Sequence, residues 1–299
     1  MASYTQKKIE VRVTLSAGEF SGGNTKIITE VPIHTHIEKL GPPDFCKATV
    51  ECRGLLYSDM EKMSTLAFKP LHSANNLIAI YAGDDTDGLS LAFSGSITNA
   101  VANFNASPDV SFKFEAQAGY YGAITAQSPT AISGNQKAST FIEMQAKALG
   151  LEFQNDGVTT QLSNAIFNGS PIAQARAAAK QIGAELFIDD DVMVLSPKGG
   201  AGTAAKGGRG NTVELSKDTG MLGYPEVSND GLVIKALYNP KFCLGGLVKV
   251  TSIVPKASGT WRIVKLAHDL TAFDPAGGPW ESQMTVYYMD SATSSTSSS

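Results

Sequence analysis

Residues 220–288 are a succession of strand-sized runs broken by tight turns, a pattern that leaves little besides a small antiparallel barrel or sandwich for them to form. Glycine supplies the backbone freedom for reversals at Asn229-Asp230-Gly231 and Ser258-Gly259. Pro225, Pro240 and Pro279 stand where no ladder hydrogen bond can be donated, so Gly223-Tyr224-Pro225 also reads as a turn. Between these breaks, residues 232–237, 247–254, 260–266 and 282–288 are rich in β-branched and aromatic side chains.

The amino-terminal part reads the same way. Residues 8–15 alternate polar and apolar without a break, which puts Ile9, Val11, Val13 and Leu15 on one buried face. Further strand candidates at 26–31, 47–56, 76–82, 89–94 and 110–116 are separated by Gly, Pro, Asn and Asp clusters. Ser58-Asp59-Met60-Glu61 has the form of a capping box, with Met60, Met63 and Leu66 at helical spacing behind it. Residues 1–116 are therefore expected to form a β-barrel or sandwich with one short helix.

From Gly119 the pattern changes, and residues 122–134 have the charge-poor, small-residue composition of a boundary. Thr140 and Glu143 predict a second capping box, before a stripe of Phe141, Met144, Ala148 and Leu149 that stops at Gly150. Ser170-Pro171 places a capping hydroxyl and a first-turn proline ahead of Ile172, Ala175, Ala179 and Ile182, with Gly183 as the stop. Residues 184–188 and 192–195, joined across Asp189-Asp190-Asp191, predict a hairpin on which these helices pack. The expected class is mainly β with an α/β insertion (α+β): antiparallel β-barrels or sandwiches at 1–116 and 212–290 bracket a two-helix α/β domain at 117–198. A Gly-rich linker at 199–211 enters the second barrel, and the Ser-rich tail at 291–299 is expected to be disordered in the free protein.

Only 17% of the residues are charged, against the ~25% usual for soluble domains, and a surface so thinly charged suits one covered by neighbours. The net charge of −4, and the absence of a long run among 24 Lys and Arg residues, argue against a nucleic-acid binder. Any DNA contact is expected to be passive: if three copies lined a channel, a mildly acidic lining would repel a passing duplex. Three cysteines, Cys46, Cys52 and Cys243, lack metal-site spacing and read as reduced thiols. Residues 1–8 hold no apolar signal core and no apolar run reaches membrane-spanning length, so synthesis in the cytoplasm and no membrane insertion are expected.

Candidate chemistry is sparse. Lys206 in the linker follows Ala205 and precedes Gly207, where a phosphate loop needs Gly and then Ser or Thr. His34 and His36 would share one strand face, but no third ligand lies nearby and a polar face is the better reading. Asp84-Asp85-Thr86-Asp87-Gly88 lacks the ligand order of a calcium loop and reads as a hairpin turn; Asp189-Asp190-Asp191 reads as a solvated turn. No spacing selects a carboxylate pair from these with Glu143 or Glu185, and His268-Asp269 adjoins no serine nucleophile motif. Trp261 and Trp280, beside turns, are read as core packing over sugar platforms. No residue is put forward as catalytic, cofactor-binding or metal-binding, and no cofactor is expected.

The series Gly223-Tyr224-Pro225, Asp230-Gly231, Leu237-Tyr238-Asn239-Pro240, Gly245-Gly246, Gly259-Thr260-Trp261-Arg262, His268-Asp269-Leu270 and Gly277-Gly278-Pro279-Trp280 resembles the baseplate hub proteins of contractile-tailed bacteriophages. The resemblance implies a non-enzymatic virion protein built from tail-tube-like barrels, a homotrimeric hub joining the sixfold tail tube to a threefold central spike and forming part of the central channel. Implied partners are the tail tube or its initiator protein, the central spike, baseplate wedge proteins and the tape-measure protein. The competing classes are a cell-wall or glycan-binding module, with or without peptidoglycan hydrolase activity, and a related hub from a contractile injection or bacteriocin particle.

Overall fold

The structure, a computed structural model, describes residues 5–17, 19–64, 75–105, 110–198, 212–228 and 231–288. The anticipated linker at 199–211 with Lys206, the tail at 291–299, Leu66, and Asn229-Asp230 of the expected turn lie outside these residues. The chain is mainly β. A first lobe holds β1 (Lys7–Thr14), β2 (Thr25–Ile28), β3 (Ile33–Leu40), β4 (Lys47–Arg53), α1 (Tyr57–Met63), β5 (Leu77–Asp84), β6 (Gly88–Asn103) and β7 (Ser111–Gln117). An insertion follows, with α2 (Tyr120–Ile124), β8 (Thr130–Ala131), β9 (Asn135–Lys137), α3 (Ala138–Ala148), β10 (Glu152–Asn155), β11 (Gln161–Ser163), β12 (Ile166–Phe167), α4 (Pro171–Gln181), β13 (Ala184–Asp189) and β14 (Val192–Pro197). The second lobe holds β15 (Val213–Leu215), β16 (Met221–Ser228), β17 (Gly231–Leu237), β18 (Leu247–Val250), β19 (Gly259–Ala272) and β20 (Trp280–Tyr288).

The alternation in β1 buries Ile9, Val11 and Val13 completely while the strand pairs with β5 on one side and β2 on the other. β6 runs well past the Ser94 end expected of it, because Gly95 lets two backbones meet. A Cβ there would lie 2.8 Å from the Gln117 carbonyl, so the glycine that interrupts the sequence pattern is what permits the pairing. β19 likewise continues through His268-Asp269-Leu270 to Ala272, with a register shift between Ile263 and Lys265.

The extra length of β19 joins the lobes. Its second half pairs antiparallel with β3 from Lys265↔Leu40 to Ala272↔Ile33, while β20 flanks its other edge. Among the described residues the result is one sheet of 13 strands in the order β16-β17-β20-β19-β3-β4-β7-β6-β5-β1-β2, with β15 and β18 attached through β19. Strand pairing leaves this path open at β2 and β16. One apolar core lies under the first lobe and extends into the insertion, and a second, around Ile234, Val248, Met284 and Val286, lies under the second lobe.

Local departures from the sequence expectation have physical causes. Gly223-Tyr224-Pro225 is not a turn but an irregular stretch of the edge strand β16, whose register breaks between Leu222 and Glu226; an edge tolerates a proline that cannot donate. Neither expected capping box forms: α1 and α3 begin at Tyr57 and Ala138, without a side-chain cap. At α3 the Ala138 N–H instead donates to the Thr160 carbonyl (3.1 Å). The buried face of α3 is Phe141, Ile142, Gln145 and Ala146, leaving Met144 and Ala148 exposed, because the inward polar Gln145 disguises the true stripe. At α4 the Ser170 hydroxyl accepts from the Ala173 N–H (3.3 Å) over Pro171, and Ile172, Ala175 and Ala179 are buried as the spacing requires.

Candidate functional site

The insertion meets the sheet through a polar joint centred on β13. Alternation along β13 places Glu185, Phe187 and Asp189 on one side. At the far end, Lys39 of β3 donates from Nζ to Asp189 Oδ1 and to Asp190 Oδ2, both at 2.8 Å. Asp190, in the left-handed region at φ 59°, also accepts from the Ser94 N–H of β6 (3.3 Å). Lys39 is 4% exposed and Asp189 1%. Burial opposes the Lys39 charge, but the Asp189 and Asp190 carboxylates outweigh it and raise its pKa. The Asp189-Asp190-Asp191 run is therefore not the solvated turn expected from its composition: two of its carboxylates are drawn inward by a lysine.

Around this triad a cysteine, a histidine and a tyrosine are held neutral. Burial, then the Asp189 charge, pushes the Cys46 thiol up to about 12; its Sγ donates to the Ile188 carbonyl at 3.2 Å. Burial, then the nearby Lys39 charge, brings His268 down to about 3, and its Nδ1 lies 2.8 Å from Ser282 Oγ. Tyr238, edge-on to His268 at 5.1 Å between ring centroids, is raised to about 12 by burial. A histidine beside a serine hydroxyl is a nucleophile–base combination; here both side chains are buried, and His268 borders a cavity of about 200 Å³, with Lys39 and Tyr238, that Ser282 does not line.

At the near end of β13, Glu185 Oε2 accepts from Arg262 Nη2 of β19 at 2.9 Å, with the arginine 7% exposed. Beside this pair a cleft of about 400 Å³ opens between the Gly41-Pro42 turn, Phe187, Leu244 and Val264. Gly245, at φ 75°, lines it where a Cβ would come within 3.3 Å of the Phe187 ring.

The structure scatters the remaining sequence candidates. His268 and Asp269 are neighbours on β19 and point to opposite faces: His268 faces inward, while Asp269 Oδ1 lies 2.7 Å from His34 Nε2 on the outer face. His36 sits 3.4 Å from Glu38. Asp84 Oδ1 accepts from the Thr86 and Asp87 N–H groups (2.8 Å each), closing the β5–β6 hairpin and lowering the Asp84 pKa. Trp280 packs edge-on to Tyr238, at 5.6 Å between ring centroids, against the first core, and Trp261 packs on the second with its Nε1–H donating to the Ala257 carbonyl (3.0 Å). All three cysteines are buried and none forms a disulfide. Among the described residues no three metal-ligating side chains come together, and no helix is long and apolar enough to cross a membrane. Sequence reasoning missed Lys39. The signal was a lone lysine on the inward row Ile33, Thr35, Ile37, Lys39.

The same β scaffold is found in solved phage tail proteins. The 43 kDa tail protein of prophage MuSo2 from Shewanella oneidensis shares it at a TM-score of 0.60, 11% identity, and coverage of 93% of this chain and 96% of that one. A tail protein from Neisseria meningitidis MC58 matches at 0.60 and 9% identity over the same shares of the two chains. A chain of the half-lidded Francisella PdpA–VgrG complex matches at 0.54 and 6% identity, over 94% of this chain and 58% of that one. The model of the baseplate hub gp41 family matches residues 9–276, and the chain belongs to that family. No curated protein matches the sequence. The protein is thus a structural component of a phage tail baseplate.

Proposed function

We propose that the protein is the central hub of a contractile-tail baseplate: a homotrimer that joins the sixfold tube to the threefold spike, forms part of the channel, and performs no catalysis. The family match over residues 9–276 is the observation that carries this reading. A trimer of chains with two β lobes each, at 1–116 and 212–290 around the insertion at 117–198 and the linker at 199–211, offers six comparable surfaces to a tube and three to a spike. DNA passes without being bound, in keeping with the net charge of −4. The wedge and tape-measure proteins are further partners of the same hub, which is made in the host cytoplasm and works in the virion.

Mass photometry and negative-stain imaging of the purified chain, alone and mixed with tube and spike proteins of the same particle, test the reading. The expected result is a ring-like trimer that takes a tube protein on one face and a spike on the other. A monomer that sediments with peptidoglycan, or cleaves it, would overturn the hub in favour of a glycan-directed module.

A further inference from the structure

We propose that a second cleft, between Pro42-Pro43 and the end of α4, receives an acidic segment of another baseplate protein and holds it through Arg176, Lys180 and Lys198. The inference rests on the reading of the chain as a hub with partner proteins and names the chemistry of one contact.

The cleft has a volume of about 370 Å³, enough for a few side chains, and Pro42, Pro43, Ala179 and Leu186 supply apolar lining. Three cations border it. Arg176 and Lys180 stand one turn apart on α4, and Lys198 follows β14 directly. Among the described residues none of the three forms an ion pair: Arg176 Nη2 donates to a backbone carbonyl, that of Asp44 (3.1 Å), and Lys180 and Lys198 make no hydrogen bond. The acid in the lining, Glu185, is committed to Arg262 at 2.9 Å. Asp44 acts on Arg176 only at longer range, so even with Asp44 counted against them the three cations leave the cleft positive. The α4 dipole favours Lys180 in the last turn and accounts for neither Arg176 nor Lys198.

Arg176 adds an independent observation. Its guanidinium carbon lies 4.0 Å from the centroid of the Phe45 ring, the residue is half-buried, and burial lowers its pKa against the opposing Asp44 charge. A cation partly withdrawn from water with no acid in contact is unfavourable until a carboxylate meets it. The ring also restricts the rotamers open to the guanidinium, so less ordering entropy is lost when that pair forms. Duplex DNA is a poorer occupant. A phosphate backbone is met by cations spread along a face, whereas these three gather about one hollow beside two prolines, and the chain as a whole carries a charge of −4. An extended acidic peptide with an apolar residue suits both the charge and the lining.

The test uses the full chain and a fluorescent peptide, Glu-Asp-Leu-Glu-Asp, whose binding is followed by anisotropy at low salt. Lys180→Glu combined with Lys198→Glu should weaken binding about tenfold or more, whereas Lys256→Glu, at an exposed lysine of the second lobe, should change it less than about twofold. Far-ultraviolet melting curves check that the reversals leave the fold intact. On the unaltered chain, carbodiimide coupling should join the peptide to Lys180 and Lys198 ahead of other exposed lysines. In the assembled baseplate the same coupling should join them to Asp or Glu side chains of a different protein. A peptide that does not bind, or binds all variants alike, would overturn the inference, as would a DNA duplex that binds more tightly with the same loss in the variants. Coupling of these lysines to a second copy of the chain would overturn it in favour of a contact between copies. The hub reading stands or falls separately, on the trimer and its tube and spike complexes.

Discussion

Replacing Lys39 by methionine isolates the energetics of the joint between insertion and sheet. Methionine keeps the length and apolar stem of the lysine and removes only the cation. With Lys39 4% exposed and Asp189 1% exposed, the substitution leaves two inward carboxylates without the ammonium they face at 2.8 Å. Breaking one side of so buried a pair costs about 3–5 kcal/mol, several times the ~1 kcal/mol ceiling of exposed pairs. Lys39→Met should therefore lower the unfolding free energy by about that much in urea titration. Adding Asp189→Asn and Asp190→Asn should recover at least half, since the stranded charges are then gone. The sign of the pH dependence follows from the raised Lys39 pKa. A group raised in the folded state contributes fully below its unfolded value of ~10.4 and loses its effect only above it, so the deficit should be the same at about pH 6 and about pH 8. Sheltered from water, it should also be insensitive to added salt. A Lys39→Met variant within about 1 kcal/mol of the parent, or one whose deficit disappears in salt, would refute the buried-clamp reasoning.

His268 gives the opposite pH behaviour. Its folded pKa of about 3 lies below the unfolded ~6.5, so between these values only the unfolded chain takes up the proton and stability falls with pH, by about 2 kcal/mol at pH ~5. His268→Gln should flatten that slope, and an imidazole found by NMR to titrate near ~6.5 would contradict the assignment. Gln145 is wholly buried in α3 with neither end of its amide paired, so Gln145→Met should raise the urea midpoint, by about 1–3 kcal/mol in free energy; a loss would point to a partner for the amide. Expressed alone, residues 212–290 should aggregate, because the Lys265–Ala272 edge of β19 loses β3, and co-expression with residues 1–198 should restore solubility; a soluble, cooperatively folding fragment would show the lobes to be independent.

Where function was legible in the sequence, it was legible through backbone chemistry. Period-2 alternation located β1, the Asp84–Gly88 cluster located a hairpin, and Ser170-Pro171 located a helix start, because each depends on residues close in the chain. What escaped depends on residues far apart. The pairing of β3 with β19 joins positions more than two hundred residues distant, and a run such as Ala267-His268-Asp269-Leu270 carries no local mark of the strand that receives it. The Asp189-Asp190-Asp191 run looked solvated because nothing within reach along the chain announces a lysine 150 residues earlier. Lys39 itself stood out of place in an alternating row, and an inward lysine calls for an inward acid. That argument was available from the sequence and gives a charge without its partner.

The two clamps on β13 fall on the two strands that join the lobes. Lys39 belongs to β3 and Arg262 to β19, and Lys39 is itself in register with Leu266 of β19 within the ladder that makes the sheet continuous. The insertion thus bridges the seam between the lobes, held by charge at both ends of one short strand and by Phe187 between them. A ladder bond contributes only about 0.5–1.5 kcal/mol net, and a seam of backbone bonds alone could shear one register at a time. Two ion pairs spanning it from a separate layer, that of Lys39 buried and that of Arg262 half-buried at Glu185, oppose such slippage, because sliding β19 along β3 would pull Arg262 and Lys39 in opposite directions against the fixed spacing of Glu185 and Asp189. These four side chains tie the insertion to both strands of the seam, Lys39 on β3 and Arg262 on β19.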